Sequence, residues 1–498
     1  MTASVPGAFA ASLSLFEAVV RDLEGLETAG MTHAQLEEEL AGRGRELIRQ
    51  LYQDHLELRA VREVRAAAVV DAAGVERTRI ERGRARTIST IFGKVVARRF
   101  AYRGEKLADL HPADAALNLP AGMHSHGLAR LCAIEAARGS FADACERVNA
   151  HTGAGVGKRQ VGELVIEAAC DIDAFYTAKI PAPATAGTLL VLTVDGKGIV
   201  IRPEALREAT AKLAAAAARK YATRLAVGEK NGRKRMATLG AVYDAEPAVR
   251  TIDNIIAPAG RREADRPRSP GPVARAKWLT GSVQHTAPHT IAAVFAQAES
   301  RDRQHARTWV VLVDGAPGPI ELIKAEAATR GVRVHIVIDF IHVLEYLWDA
   351  AWCLYENGDQ DAEPWVAGHA RKLLAGRTRQ VIAQLETQAA GLPAARRKGL
   401  EAAVRYLTGR APYLRYHQAL KAGWPIATGV IEGACRHLVK DRMDITGARW
   451  GLDGAEAVLK LRAMRANGDF DAYWHFHQQQ EHERNHQAKY RELAYHDP

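Results

Sequence analysis

The stretch Leu189-Leu-Val-Leu-Thr-Val-Asp195 decides the fold of the central part of the chain, together with the similar stretch Trp309-Val-Val-Leu-Val-Asp314. Each is an almost continuous apolar run that ends in an aspartate followed by glycine. Short apolar runs of about four to eight residues bounded by turn residues are typical of buried β-strands. The two stretches therefore predict two interior strands, each with a carboxylate at its C-terminal end.

The segments around these two strands predict a mixed α/β core. Apolar patterns predict strands at 189–195, 236–244, 248–256, 308–313 and 333–338, helices at 289–300 and 319–330, and a long helix that begins at 340. Three strands, a helix, and then strands alternating with helices is the order of an RNase H-like core. In that order the first and fourth strands are neighbours, so Asp195 and Asp314 are expected to meet.

A third acid, Glu432, opens a predicted helix within Thr428-Gly-Val-Ile-Glu432. Two Mg²⁺ ions about 3.5–4 Å apart can stabilise the charge that develops on both reacting oxygens when a phosphodiester is attacked. Mg²⁺ prefers oxygen ligands, which carboxylates provide. Asp195, Asp314 and Glu432 therefore predict a two-metal site for Mg²⁺, in which Mn²⁺ can substitute.

Each acid also has a structural interpretation. An Asp-Gly pair at a strand end is common turn chemistry, and Glu432 can belong to an ion-paired helix face with Arg436 and Lys440. Asp339 and His342, just after the fifth predicted strand, are secondary active-site candidates; their alternative is a helix N-cap and a core histidine. Asp339 lies one strand further from Asp195, so Asp314 is the predicted ligand.

The N-terminal part predicts a helical arm at 1–80 and a mainly α-helical DNA-binding region at 81–180. The arm is either a packed surface helix or a self-association surface. A hairpin is predicted at 87–102, turning near Gly93-Lys94. A pattern like a helix-turn-helix follows at 140–165, with Lys158, Arg159 and Gln160 where a recognition helix contacts base edges. The alternative is two core helices joined by a glycine-rich turn.

Charge favours a polyanionic partner, because the chain carries a formal net charge of +10. Two basic insertions are predicted in the core, at 205–235 and 258–280; the first contains Arg233-Lys234-Arg235. Either insertion can contact a phosphate backbone, or can simply be a solvated charge run.

Several protein classes are not indicated. The five cysteines form no C-x-x-C pair, so neither a disulfide framework nor a cysteine zinc site is predicted, and a reducing cytoplasm fits. No run approaches the roughly 18 apolar residues of a membrane span, and no export signal is indicated. His482-Glu-Arg-Asn-His486 matches H-E-x-x-H, but few residues follow it, and we predict a solvated terminal helix rather than a zinc protease.

The predicted organisation has six parts. Beyond the arm and the DNA-binding region, these are the first part of the core at 187–342, a helical insertion at 343–422, the C-terminal part of the core at 423–466 and a polar His/Gln-rich tail at 467–498.

Four passages carry a resemblance to a known family. They are Leu192-Thr-Val-Asp-Gly-Lys-Gly198, Val311-Leu-Val-Asp-Gly315, Val337-Ile-Asp-Phe-Ile-His-Val343, and Gly429-Val-Ile-Glu-Gly433 continuing through Gly447-Ala-Arg-Trp450 to Leu459-Lys-Leu-Arg462. Together they resemble the DDE transposases of bacterial insertion sequences, closest to the ISKra-type group and its ISL- and Mutator-like relatives. The similarity runs from about the hairpin to residue 465. The chain lacks the N-terminal cysteine zinc motif of some relatives.

The resemblance implies an enzyme that cleaves insertion-sequence ends and joins the freed 3′-OH to target DNA, with Asp195, Asp314 and Glu432 holding two Mg²⁺. It implies double-stranded DNA partners (terminal inverted repeats and target DNA), a homo-oligomer of at least two chains, no membrane association, and a nucleoid-associated place in the bacterial cytoplasm. The alternatives are a domesticated DNA-binding regulator and a structure-specific Mg²⁺-dependent nuclease. The predicted DNA contacts are Lys158, Arg159, Gln160, Arg233, Lys234, Arg235, Arg436, Lys440, Arg442 and Arg449.

Overall fold

The computed structural model of the chain describes residues 5–181, 185, 187–216, 221, 223, 233–258, 267–445 and 447–491. The chain divides into two compact units. Unit 1 comprises Met1–Ala178 and Gly468–Pro498, and unit 2 comprises Lys179–Asn467. Within the described residues, every helix is too short or too polar to cross a membrane.

Unit 1 combines helices with a long hairpin. Its elements are α1 (Ala10–Leu23), α2 (Leu26–Ala29), α3 (His33–Arg62), β1 (Val69–Val70), β2 (Glu76–Arg77), β3 (Arg79–Thr90), β4 (Gly93–Arg103), α4 (Pro112–Ala116), α5 (His126–Arg138), α6 (Phe141–Thr152), α7 (Lys158–Glu167), α8 (Ile172–Ala178) and, from the end of the chain, α19 (Phe470–Asn485).

The predicted arm packs on the predicted hairpin. Helix α3 begins at a capping box, in which the Gln35 N–H donates to the Thr32 side chain and the Thr32 N–H donates to the Gln35 side chain. Leu56 of α3 is buried together with Ile88 and Val95 of the hairpin. One face of the long helix therefore has a partner within the chain.

Helices α6 and α7 occupy the segment with the predicted helix-turn-helix pattern, and α5 precedes it. A capping box at Ser140 starts α6, and Gly153 ends it with a left-handed φ of 62°. Helix α7 starts at Lys158, whose side chain is exposed like that of Arg159, while Val161 and Val165 are buried. The basic N-terminal end of α7 therefore faces solvent in unit 1.

The solvated terminal helix is a wrong prediction. In α19, Tyr473, Trp474 and His477 are buried, and the Tyr473 hydroxyl donates to the Ala168 carbonyl at 2.7 Å. The aromatic residues of the tail pack against α8, with Tyr473 edge-on to Phe175. The tail is polar on average, but its apolar side chains form a buried stripe along α19.

The two histidines of the H-E-x-x-H match are held by backbone carbonyls of unit 1. Nε2 of His482 lies 3.1 Å from the Ala115 oxygen, and Nε2 of His486 lies 2.8 Å from the Leu119 oxygen. A carbonyl only accepts, so each Nε2 carries the hydrogen and is not free to bind a metal ion.

Unit 2 is built on one sheet with helices around it. Its elements are β5 (Leu189–Val200), α9 (Glu208–Ala216), β6 (Lys234–Ala245), β7 (Arg275–Ser282), α10 (Ala287–Arg301), β8 (Trp309–Val313), α11 (Pro317–Thr329), β9 (Val334–Ile338), α12 (Phe340–Ala351), α13 (Ala362–Leu374), α14 (Thr378–Ala390), α15 (Lys398–Arg410), α16 (Tyr416–Lys421), α17 (Gly429–Ala434), a π-helical turn (Cys435–Lys440) and α18 (Leu452–Ala466).

The sheet has the order β7-β6-β5-β8-β9. Strands β5, β6 and β7 pair antiparallel, whereas β8 runs parallel to both β5 and β9. The centre of the sheet is shielded from solvent, because Leu189–Val194 of β5 and Trp309–Val313 of β8 are buried throughout. The two aspartate-ended runs of the sequence are therefore the two central strands.

The third strand corrects the sequence-based expectation. Residues 248–256 form no strand, because Ala248 and Arg250 donate their N–H groups to the carbonyls of Gly423 and Leu420. Strand β7 instead uses Arg275–Ser282, part of the predicted insertion 258–280, and buries Trp278. Residues 259–266 of that insertion lie outside the described residues.

The first strand is also longer than predicted. Strand β5 continues past Asp195 to Val200, because β6 pairs with it along its whole length and Asp195 is opposite Leu239. In the predicted insertion 205–235, α9 occupies Glu208–Ala216, and residues 217–220, 222 and 224–232 lie outside the described residues. Helices α12 to α16 occupy most of the predicted helical segment 343–422.

Candidate active site

The register of the central strands brings Asp195 and Asp314 to neighbouring positions. Thr193 of β5 is paired with Leu312 of β8, and each aspartate follows its paired residue by two positions. Side chains alternate across a sheet, so both carboxylates lie on the same face, on strands about 4.8 Å apart. The predicted meeting of these two acids follows from this register.

Asp314 is fixed by its own turn and by α15. Its Oδ1 accepts the N–H of Ala316 at 2.8 Å, and its backbone carbonyl accepts the hydroxyl of Tyr406 at 2.6 Å. Gly315 has a φ of 92°, which favours glycine, and its carbonyl accepts a hydrogen bond from Arg410. The chain therefore turns sharply away from the sheet directly after the carboxylate.

Asp339 extends the row by one strand. Leu312 is paired with Val337 of β9, which puts Asp339 opposite Asp314. Its Oδ1 accepts the Ile341 N–H at 2.9 Å, so Asp339 is the N-cap of α12, and only 3% of the residue is exposed. The residue is both a helix cap and the third aspartate at this edge of the sheet.

Glu432 is linked to Asp339 through one hydroxyl. The Thr428 hydroxyl donates to Oδ2 of Asp339 and lies 3.1 Å from Oε1 of Glu432. Burial, opposed by the Thr428 and Ile341 hydrogen bonds and assisted by the nearby Glu432 charge, raises the pKa of Asp339. Two carboxylates thus share the hydroxyl of Thr428, an arrangement that a bound cation would stabilise.

Asp195 is linked to the helix that carries Glu432. The Cys435 thiol donates to Oδ2 of Asp195 at 3.1 Å, and the Gly196 N–H donates to Oδ1 at 2.6 Å. Burial, followed by the Asp195 charge, raises the pKa of Cys435 and keeps it a protonated donor. Cys435 follows Glu432 by three residues, so one helical face directs both side chains towards the sheet.

The donor set suits an oxygen-binding divalent cation. Four carboxylates, those of Asp195, Asp314, Asp339 and Glu432, belong to this edge of the sheet. Among the described residues, no three of them bring ligand atoms within 4.8 Å of one another, the spacing expected around a single ion. Their carboxylate oxygens are ligands of the kind that Mg²⁺ prefers.

His342 lies at the rim of this site. It is partly exposed on α12, its Nδ1 is 2.9 Å from the Glu345 carboxylate, and its ring contacts Tyr346 and Tyr406 edge-on. It is therefore not the core histidine of the alternative interpretation. Through Tyr406, the ring is connected to the backbone of Asp314.

The predicted DNA contacts in unit 2 separate into two sets. Arg235 donates to the carbonyls of three residues (Val283, Ala205 and Gln284), and Lys234 pairs with Asp444 at 2.7 Å. Arg442 is 4% exposed and stacks over Trp450, with its guanidinium carbon 4.5 Å from the ring centre, so it packs the core. The exposed cations among the predicted contacts in unit 2 are Arg233, Lys234, Arg436, Lys440 and Arg449.

Sequence reasoning missed Thr428, Cys435 and Tyr406. The first two lie four residues before and three residues after Glu432, so helical spacing placed them on its face. Tyr406 lies in a different helix, and no local pattern relates it to Asp314.

No protein-family model and no curated protein matches this chain.

Proposed function

We propose that this protein is a DNA transposase with an RNase H-like catalytic core, which cleaves insertion-sequence ends and joins the 3′-OH to target DNA by a two-metal mechanism. One observation carries the proposal. Asp195 and Asp314 each lie two residues beyond a paired residue of adjacent parallel strands (Thr193 and Leu312), and Cys435 bonds the helical segment of Glu432 to Asp195. The strand order β7-β6-β5-β8-β9 supports it, because the core predicted from the sequence places its first and fourth strands side by side.

The side chains have separate tasks in this proposal. Asp195, Asp314 and Glu432 hold two Mg²⁺, which when bound lower the pKa of water and stabilise the charge on the attacking and leaving oxygens. Cys435 orients Asp195, and Thr428 orients Glu432 against Asp339. Asp339 adds negative charge that raises the affinity of the site for cations.

DNA is held by the exposed cations. Arg436 and Lys440 follow Glu432 in the π-helical turn, Arg449 precedes α18, and all three side chains are exposed. Such side chains contact phosphates without reading sequence. In unit 1, Lys158 and Arg159 begin α7, the position at which a recognition helix contacts base edges.

The unfavourable free energy of a charged Asp339 in the folded protein favours an enzyme over a regulator. Asp339 is buried, and its raised pKa means that its negative charge is unfavourable in the folded protein. A DNA-binding regulator gains nothing from this cost, whereas an enzyme that binds cations at this edge of the sheet does. The resemblance of the four motifs favours strand joining over cleavage alone.

The test uses purified protein, Mg²⁺ and labelled double-stranded oligonucleotides that cover the DNA on each side of the gene. We expect cleavage at one strand end and joining of the product to a second duplex. Asp195→Asn and Glu432→Gln should each lower both rates by about 100-fold or more. Glu321→Gln, which removes an exposed carboxylate that pairs with Lys324 in the same helix, is the matched control.

Each other outcome counts against the proposal. Equal rates for wild type and Glu432→Gln would remove Glu432 from the mechanism. Cleavage with no preference for the flanking DNA and no joining would favour the nuclease, and DNA binding without cleavage would favour the regulator.

A further inference from the structure

A second cluster of metal-ligating side chains lies in unit 1. Cys170 and Asp171 stand between α7 and α8, His477 lies in α19, and one ligand atom from each comes within 4.8 Å of the other two. Asp171 and His477 are 6% and 4% exposed, while Cys170 is exposed to solvent. A sulfur, a carboxylate and an imidazole thus converge from two separate parts of the chain.

A positively charged nitrogen lies among these ligands. Nη2 of Arg484 is 2.9 Å from Oδ2 of Asp171, 2.7 Å from Oε1 of Glu481 and 3.7 Å from Sγ of Cys170. Nη1 of the same guanidinium is 2.7 Å from Oδ1 of Asp171. The guanidinium thus contacts Cys170 and Glu481 in addition to its ion-pair partner Asp171. Three groups therefore favour a positive charge at this position.

The cluster opens to solvent through a cavity of about 650 Å³. Cys170, His477, Glu481 and Arg484 line it, together with Glu163 and Glu167. The Arg484 side chain is 43% exposed, so it can leave the cluster without unfolding a helix. Excess acid groups along the wall favour entry of cations, because three glutamates face one arginine there.

We propose that this cluster is a binding site for a transition-metal dication of the Zn²⁺ class, formed by Cys170, Asp171, His477 and Glu481, in which the ion replaces the Arg484 guanidinium. Sulfur, nitrogen and carboxylate oxygen together suit Zn²⁺ rather than Mg²⁺. Metal–ligand distances of about 2.0–2.3 Å need a contraction of the three clustered ligands and an inward movement of Glu481, which contacts Arg484 in this structure. On binding, the thiol proton leaves to water and the guanidinium swings into solvent, without any redox change.

The bound ion would tie α19 to the turn after α7. His477 and Glu481 are four residues apart on one face of α19, and Cys170 and Asp171 lie three and four residues beyond the end of α7 at Glu167. A ligand that binds only the folded form stabilises it. The site therefore makes the stability of unit 1 depend on Zn²⁺, independently of the carboxylates in unit 2.

The test is a titration of the full chain with Co²⁺ as a spectroscopic probe and with Zn²⁺ as a competitor, in excess Mg²⁺. We expect a thiolate-to-cobalt charge-transfer band at one equivalent, which Zn²⁺ abolishes. Cys170→Ser should lose the band, whereas Cys145→Ser, which alters a partly buried cysteine of the same unit, should keep it. A band that survives in Cys170→Ser, or its absence from wild type, overturns the proposal.

Substitution of Arg484 gives a second measurement, in which we expect the affinity for Co²⁺ to rise rather than fall. Because the guanidinium competes with the ion, Arg484→Gln should bind Co²⁺ about tenfold more tightly or better, while Arg484→Lys loses the bidentate bond but keeps a competing charge and should bind Co²⁺ less tightly than Arg484→Gln. A guanidinium that only links Asp171 to α19 would give weaker binding or none in Arg484→Gln. Should Arg484→Gln fail to fold, as its circular dichroism would reveal, the cysteine pair still decides the outcome.

Discussion

The thiol of Cys435 donates a hydrogen bond to the carboxylate of Asp195 over 3.1 Å, although 240 positions separate the two residues. The bond joins the π-helical turn after Glu432 to the central strand of the sheet. The other carboxylate oxygen of Asp195 accepts a hydrogen bond from the neighbouring Gly196 N–H. Both oxygens are thus oriented before any cation binds, which is the role of the groups that surround metal ligands.

Replacing Cys435 tests this orientation. Cys435→Ala removes the donor, and we expect the Mg²⁺ concentration for half-maximal DNA cleavage to rise about tenfold, since loss of such a partner typically costs 10–100-fold in metal affinity. Cys435→Ser keeps a donor and should stay closer to wild type. The measurement is cleavage rate against Mg²⁺ concentration. Identical curves for the alanine and wild-type proteins would show that the thiol does not position Asp195.

Asp339→Asn should make the protein more stable and less active. The folded pKa of Asp339 is raised, first by burial, so its stabilising contribution is complete below the unfolded pKa and is lost as pH rises through the folded pKa. At pH 7 the aspartate therefore costs stability that asparagine does not cost, and asparagine also serves as an N-cap. We expect a higher melting temperature for the variant at pH 7 without divalent cations, and a difference that shrinks towards pH 4.

Cleavage of DNA by Asp339→Asn, measured in the same preparation, should fall. The Glu321→Gln variant controls for loss of any one carboxylate and should melt like wild type at both pH values. A lower melting temperature for Asp339→Asn at pH 7 would mean that its charge is compensated in the folded protein, against the burial argument.

The sequence anticipated the centre of the sheet better than its edge. The runs that end at Asp195 and Asp314 are apolar throughout because both faces of their strands are covered, and that signal is local. The edge strand β7 was missed because its sequence, Arg275-Ala-Lys-Trp-Leu-Thr-Gly-Ser282, is polar and follows a Pro- and Arg-rich stretch, and only its pairing with β6 makes it a strand. Helical spacing puts Cys435 on the face of Glu432, but its bond to Asp195 and the bond of Tyr406 to Asp314 join distant parts of the chain, so no local spacing predicts these two bonds.

Gly315→Ala should unfold at a lower urea concentration. The position has a φ of 92°, and an added Cβ would lie 2.6 Å from the Tyr406 hydroxyl. We expect a loss of about 1–3 kcal/mol from the strained backbone, together with displacement of the hydroxyl that holds the Asp314 carbonyl. Gly318→Ala, three residues later in α11, meets no atom within 4 Å and is the matched control. Equal stability of the two variants would contradict the steric argument.

Arg449 and Arg442 should separate DNA contact from packing. Arg449 is exposed beside α18, so Arg449→Ala should weaken DNA binding across sequences and reduce the slope of log K against log salt by about 1, with the melting temperature unchanged. Arg442 is buried over Trp450, so Arg442→Ala should lower the melting temperature and leave the salt slope unchanged. Fluorescence anisotropy at several salt concentrations, paired with thermal unfolding, distinguishes the two. A reduced salt slope for Arg442→Ala, with an unchanged melting temperature, would show that the guanidinium reaches DNA. This result would support the DNA contact predicted for Arg442 from the sequence.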